Sequence, residues 1–209
     1  MKTLLSIAAI MFVASTACGQ LVITGVYDGP LSGGVPKGVE LCAVMDIADL
    51  SEYGIGSANN GGGSDGAEFT FPADSVMQGE FIYIASEEIG FTDFFGFAPD
   101  YVTGAMSING DDAIELFRND EVVDLFGDID VDGSGEPWEY ADGWAYRVSN
   151  TPDQPTFDLA MWTFSGPDGL DGETSNDSAA NPFPLGTYTF DDTVAAESTS
   201  LSQVKTLFQ

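Results

Sequence analysis

Ala113-Ile114-Glu115-Leu116-Phe117-Arg118-Asn119-Asp120-Glu121-Val122-Val123-Asp124-Leu125-Phe126 holds two β-prone runs on either side of two turn-forming residues. Branched and aromatic side chains favour a pleated strand, while Asn and Asp tolerate the left-handed backbone of a two-residue turn. The stretch therefore predicts a tight hairpin centred on Asn119-Asp120. It also sets the scale for the rest of the chain, which alternates short apolar runs with clusters of Gly, Pro, Asp and Asn.

Toward the N-terminus the strand signals are Leu21 to Tyr27, Val39 to Met45, Ile47 to Ile55, Ala67 to Phe71 and Glu80 to Ser86. Asp28-Gly29-Pro30 is read as the stop of the first. Asn59 to Gly66 is a Gly-rich loop; no Lys follows its Gly61-Gly62-Gly63 run, so it is not a phosphate loop. Glu87 to Phe97 admits one short helix, with Phe91, Phe94 and Phe95 at helical spacing and read as core. Toward the C-terminus, Gly143 to Val148 and Leu185 to Phe190 complete the set. About nine short strands with at most one short helix predict an all-β sandwich over residues 20–190.

The ends read differently. Met1-Lys2, the apolar run Leu4 to Val13 and the small residues Ala14 to Gly19 have the layout of a secretory signal peptide over residues 1–19. A lipid anchor on Cys18 is the alternative, although the large aliphatic residue usual three places before such a cysteine is missing. Residues 191–209 carry Ser, Thr, Ala and acids without a core pattern and read as a tail or linker. No transmembrane segment is expected, and the mature chain is expected outside the cell, secreted or on its surface. Cys42 is then the one cysteine left, in an apolar run, and is read as a buried small hydrophobe.

The net charge is −29, from 34 acids against 5 bases and no histidine. Such a surface repels nucleic-acid backbones and anionic membranes, so direct nucleic-acid binding is not expected. Two compatible causes are a surface suited to salty surroundings and carboxylates that hold divalent cations.

Asp128-Ile129-Asp130-Val131-Asp132-Gly133-Ser134-Gly135-Glu136-Pro137-Trp138-Glu139 has the spacing of a calcium loop. Alternating carboxylates at Asp128, Asp130 and Asp132 can turn toward one hard cation, Gly133 allows a sharp turn and Glu139 can close the shell with two oxygens. Ser134 would lend its carbonyl and Glu136 a water-mediated contact. Strands flank the loop instead of helices, so it is no EF-hand. The competing reading is an acidic turn that stays solvated. Asp168-Gly169-Leu170-Asp171-Gly172-Glu173 and Asn109-Gly110-Asp111-Asp112 are read as plain turns.

Lacking histidine, and with one mature cysteine, the chain excludes Ser-His, Cys-His and zinc chemistry. A paired-carboxylate glycosidase stays open on composition, but the acidic pairs sit in Gly-rich turns. Trp138, Trp144 and Trp162 could stack on sugars; burial in a sandwich core is the favoured reading.

Several of these stretches together resemble the lamin tail domain family, of the bacterial secreted type. They are Lys37-Gly38-Val39-Glu40-Leu41, Asp49-Leu50-Ser51-Glu52-Tyr53-Gly54-Ile55 and Asn109 to Leu116 leading into Glu121-Val122-Val123-Asp124. Gly143-Trp144-Ala145-Tyr146-Arg147 and Trp162-Thr163-Phe164 are similar to that family's closing Arg and Trp strands. The family's closing Pro-Gly-x-x-Asn is replaced by Gly166-Pro167-Asp168-Gly169-Leu170-Asp171. The resemblance implies an immunoglobulin-like sandwich, carried on exported surface proteins and on some extracellular nucleases, and no catalytic residues in the domain itself. The expected function is a non-catalytic surface or matrix module with a calcium-stabilised loop and a protein or glycan partner. The alternative is an accessory component of an extracellular nuclease or polysaccharide-processing system.

Overall fold

The computed structural model describes residues 19–191. The predicted signal peptide apart from Gly19, the alternative anchor Cys18 and the tail from residue 192 onward lie outside the described residues. Among the described residues ten strands form two sheets. The hairpin is where the sequence placed it: β7 (Ala113–Arg118) and β8 (Glu121–Phe126) pair antiparallel. Asn119 (φ 50°) and Asp120 (φ 67°) both take the left-handed conformation that a two-residue turn requires.

β7 and β8 belong to a four-stranded sheet with β3 (Tyr53–Ala58) and β4 (Phe69–Thr70), in the order β4-β3-β7-β8. The other strands are β1 (Leu21–Leu31), β2 (Val35–Ala43), β5 (Phe81–Ala85), β6 (Tyr101–Val102), β9 (Trp144–Arg147) and β10 (Trp162–Phe164). They make a six-stranded sheet in the order β10-β9-β1-β2-β5-β6, antiparallel except for β5 with β6. The sheets form a β-sandwich: Leu21, Ile23, Leu41 and Ile84 of one pack with Tyr53, Ile55, Leu116 and Phe126 of the other in one buried cluster.

The six-stranded sheet is covered on its second face as well. Helix α1 (Ile89–Phe95) lays Phe91, Phe94 and Phe95 there, with Tyr27, Cys42, Tyr146 and Phe183 in the same buried cluster. β1 is consequently buried on both faces and shows no alternation. The predicted helix and its core phenylalanines are present, and Cys42 is buried and free, its thiol pushed up to about 12 first by burial and then by the charge of Glu40. Among the described residues no helix is long and apolar enough to cross a membrane.

Several boundaries differ from expectation. β1 runs through Asp28-Gly29-Pro30 to Leu31, because its register with β2 shifts between Asp28 and Leu31. A bulge of that kind accommodates Pro and Gly within a strand. Ile47 to Ile55 is not one strand: Asp49 accepts hydrogen bonds from the Ser51 amide (3.0 Å) and hydroxyl (2.5 Å), winding Leu50–Glu52 into a 3-10 turn before β3 begins. Leu185 to Phe190 is not a strand. Its amides donate to side chains instead, Gly186 to Glu40 (2.8 Å) and Thr187 and Tyr188 to the Tyr146 hydroxyl (3.0 Å each).

Candidate functional site

The acidic segment occupies one end of the four-stranded sheet, where β3 ends, β7 begins and β8 ends. Three connections meet there: the Gly-rich loop after Ala58, the turn 109–112 and the loop 127–143. They are stitched by backbone and side-chain bonds. Gly63 N–H donates to the Ile129 carbonyl (2.9 Å), Gly133 N–H to the Asp111 carbonyl (2.9 Å) and Tyr140 N–H to the Gly110 carbonyl (2.7 Å). Asp112 is fully buried and clasps two of the connections, accepting from Asn60 N–H (2.8 Å) and Asn109 N–H (3.0 Å).

Trp138 anchors the loop in the core, edge-on to Phe126 at 6.0 Å. Gly133 is required by this packing and not by a left-handed turn. A Cβ on it would lie 2.6 Å from the Trp138 ring and 2.7 Å from the Asp111 carbonyl. That corrects the reason given for the glycine: it permits close approach.

The predicted cation ligands line the outside of this loop. Asp128, Asp130, Asp132, Ser134 and Glu136 are exposed and Glu139 is half-buried. Each of three carboxylates holds a nearby amide: Asp128 accepts from Asp130 N–H (3.0 Å), Asp132 from Ser134 N–H (2.9 Å) and Glu139 from Gly135 N–H (2.9 Å). The Ser134 amide holds the Asp132 carboxyl below the usual carboxylate range. The Ser134 hydroxyl donates its one proton to Asp111 (2.9 Å). Among the described residues no three such side chains gather into a group able to hold a metal ion. The donor chemistry is that of a hard-cation loop, while the geometry directs these oxygens to neighbouring amides. Each of these carboxylates keeps further lone pairs, so an ion could bind here without displacing the amides.

A second group of ionisable residues lies inside the sandwich, and the spacing arguments did not anticipate it. Asp124 of β8 and Arg147 of β9 form an ion pair across the two sheets, at 2.6 and 2.7 Å, with both side chains almost wholly buried. The remaining valences are filled too. Arg147 donates to the carbonyls of Ile23 (2.5 Å) and Pro152 (2.9 Å) and lies 4.7 Å above the Trp162 ring. Asp124 accepts from Ile23 N–H (2.8 Å) and Gln154 N–H (3.1 Å). Burial lifts the Asp124 carboxyl to about 6, the Arg147 charge and the two amides offsetting only part of the rise.

Glu40 is the other centre. It is fully buried and accepts from the Thr24 hydroxyl (2.7 Å), the Tyr146 hydroxyl (2.7 Å) and Gly186 N–H (2.8 Å). Burial raises its pKa as well, against those three hydrogen bonds. Glu115 differs. It sits 2% exposed beneath the Gly-rich loop with Oε2 unpaired, and burial followed by the charges of Asp65 and Glu68 raises its pKa against a Ser64 hydrogen bond.

The three basic residues among those described, Lys37, Arg118 and Arg147, each pair with an acid: Asp28 (3.1 Å), Glu52 (2.8 Å) and Asp124. The described acids therefore far outnumber the described bases. All three tryptophans are buried, at 5–6% exposure, so none presents a face on which a sugar could stack. The turns at 109–112 and 168–173 are turns in the structure, with positive φ at Gly110, Asp168 and Gly172. Comparison with protein-family models, with curated proteins and with solved structures returned no match for this chain.

Proposed function

We propose that this chain is an exported, non-catalytic β-sandwich module of the lamin-tail-like, immunoglobulin-like kind, which acts at the cell surface or in the matrix by binding a partner. The observation that carries the reading is what three of the buried acids are bonded to. Asp124, Glu40 and Asp112 direct their oxygens to Arg147, to hydroxyls and to backbone amides of neighbouring segments. Carboxylates used this way hold loops to sheets; they have no free oxygen aimed at a substrate. Burial of Trp138, Trp144 and Trp162 favours a protein partner over a stacked glycan.

Calcium belongs to the same proposal. Its ligands are Asp128, Asp130, Asp132 and Glu139, with the Ser134 carbonyl and a water-mediated Glu136. Support comes from the hard-oxygen donor set, from the lack of any basic partner in the loop and from its anchoring by Trp138 and Gly63, which fixes both ends.

The test is direct. Purified mature protein is incubated with a panel of polysaccharides and with DNA, with and without calcium. No product should be released. Release that disappears in a variant of one acidic residue would overturn the reading and favour a processing enzyme.

A further inference from the structure

β5 is covered on its outer side for only part of its length. β6 is two residues long and pairs with Ile84 and Ala85 alone. Below it Asp100 takes over: Asp100 N–H donates to the Tyr83 carbonyl (2.9 Å) and Tyr83 N–H donates to the Asp100 carboxylate (2.8 Å). Phe81 has neither. Its backbone direction follows from strand alternation. Ala43 N–H donates to the Glu80 carbonyl and Ser86 N–H to the Lys37 carbonyl, so the even-numbered residues of this strand face β2. Tyr83 and Ala85, which accepts from Thr103 N–H, face outward, and Phe81 belongs to their set.

The N–H and C=O of Phe81 therefore open into a groove of about 330 Å³, whose lining includes Asp74, Val76, Glu80, Phe81, Asp100 and Tyr101. The three acids on its rim are exposed. Each holds one local donor: Asp74 the Tyr101 hydroxyl (3.0 Å), Glu80 the Met77 amide (2.7 Å) and Asp100 the Tyr83 amide. Among the described residues no basic group faces their second oxygens, because Lys37, Arg118 and Arg147 are paired elsewhere.

We infer that this groove is where the partner binds, and that it takes an extended, lysine- or arginine-bearing segment of another protein as an added strand beside Phe81. The inference rests on the partner-binding reading above and gives it a place and a chemistry. An open strand edge supplies main-chain hydrogen bonds that any extended peptide can use. The acidic rim supplies selection, since a basic segment meets three carboxylates and an acidic one is repelled. Val76 and Tyr101 give the apolar floor against which alternate side chains rest.

The probe is a soluble peptide of four Thr-Lys repeats, with four Thr-Glu repeats as control, added to the full mature protein at low salt. A chain of charge −29 attracts any cation, so binding alone decides nothing; the readout is amide hydrogen exchange at Phe81. In the free protein that amide should exchange fast for a strand residue. The Thr-Lys peptide should slow it by about tenfold or more, and the Thr-Glu peptide should leave it unchanged. The double variant D74N/E80Q keeps both local hydrogen-bond acceptors and should weaken Thr-Lys binding by about tenfold. Binding with no change at Phe81 would overturn the groove as the site while leaving a partner-binding module intact. Failure of the Thr-Lys peptide to bind at millimolar concentration would overturn the inference as well.

Discussion

The interior pair Asp124–Arg147 and the surface loop 128–139 follow each other closely along the chain and use acids in opposite ways. Asp124 lies in β8, two residues before the strand ends, and its two oxygens meet Arg147 and two amides in a site closed to water. Asp128, Asp130 and Asp132 begin immediately after that strand and stay in solvent, each Asx turn holding an amide two residues on where it holds one at all. A buried charge is costly unless all its valences are met, whereas an exposed one costs little and is free to exchange partners. Structural demand fixes the Asp124–Arg147 pair, while the loop acids stay open to exchange of partners.

The sharpest way to break this contrast is to remove one buried partner. Asp124→Ala leaves Arg147 charged and unpaired inside the sandwich, and should destabilise the domain by about 3–5 kcal/mol in denaturant unfolding. A loss below about 1 kcal/mol, the scale of an exposed ion pair, would place Asp124 in the same class as the loop acids. Glu40→Ala should cost about 1–3 kcal/mol, since buried donors from Thr24, Tyr146 and Gly186 lose their acceptor. Faster exchange of the Gly186 amide should accompany it, because that bond holds the 183–190 segment against β2. An unchanged Gly186 amide would show that the segment is held by its other contacts.

Acidity probes the same distinction with a smaller effect. Asp124, Glu40, Asp28, Asp112 and Glu115 all have carboxyls raised by burial. The folded state therefore binds their protons more tightly than the unfolded chain. Stability from this source is complete below about pH 4, the ordinary carboxylate value, and is lost as pH rises through the folded values, about 6 for Asp124. Asp49 and Asp132 are lowered by hydrogen bonds and act in the opposite sense, but both are exposed and screened by solvent. In the presence of chelator, the thermal midpoint should be higher near about pH 5 than near about pH 8. The reverse order would mean that paired, lowered carboxylates dominate over the buried group.

The sequence revealed the hairpin because its signal was local: two runs of strand formers and a turn whose residues tolerate positive φ. The helix at 89–95 was legible for the same reason, through Phe91, Phe94 and Phe95. What stayed hidden depends on contacts distant along the chain. Nothing local to Val123-Asp124-Leu125 says that Arg147 waits across the sandwich, although a charge inside an apolar run was a usable hint there and at Val39-Glu40-Leu41. The 185–190 segment has strand composition, yet Glu40 and Tyr146 take its amides before any strand can. The acidic loop was found by spacing, but the role of Gly133 was set by Trp138 and Asp111, which spacing does not see.

The division between the two groups is tested most directly by thermal unfolding in chelator and in millimolar calcium, run on the natural chain, on Asp130→Ala and on Asp124→Ala at a temperature range where the last is still folded. An ion that binds only the folded loop stabilises by mass action, about 1 kcal/mol when it is a few-fold above its dissociation constant, which is about 2–4 °C for a domain of this size. The account predicts that calcium raises the midpoint of the natural chain and of Asp124→Ala by a similar increment, and that Asp130→Ala loses the increment with little change in chelator. A calcium increment that vanishes in Asp124→Ala but survives in Asp130→Ala, or no increment in the natural chain, would contradict it.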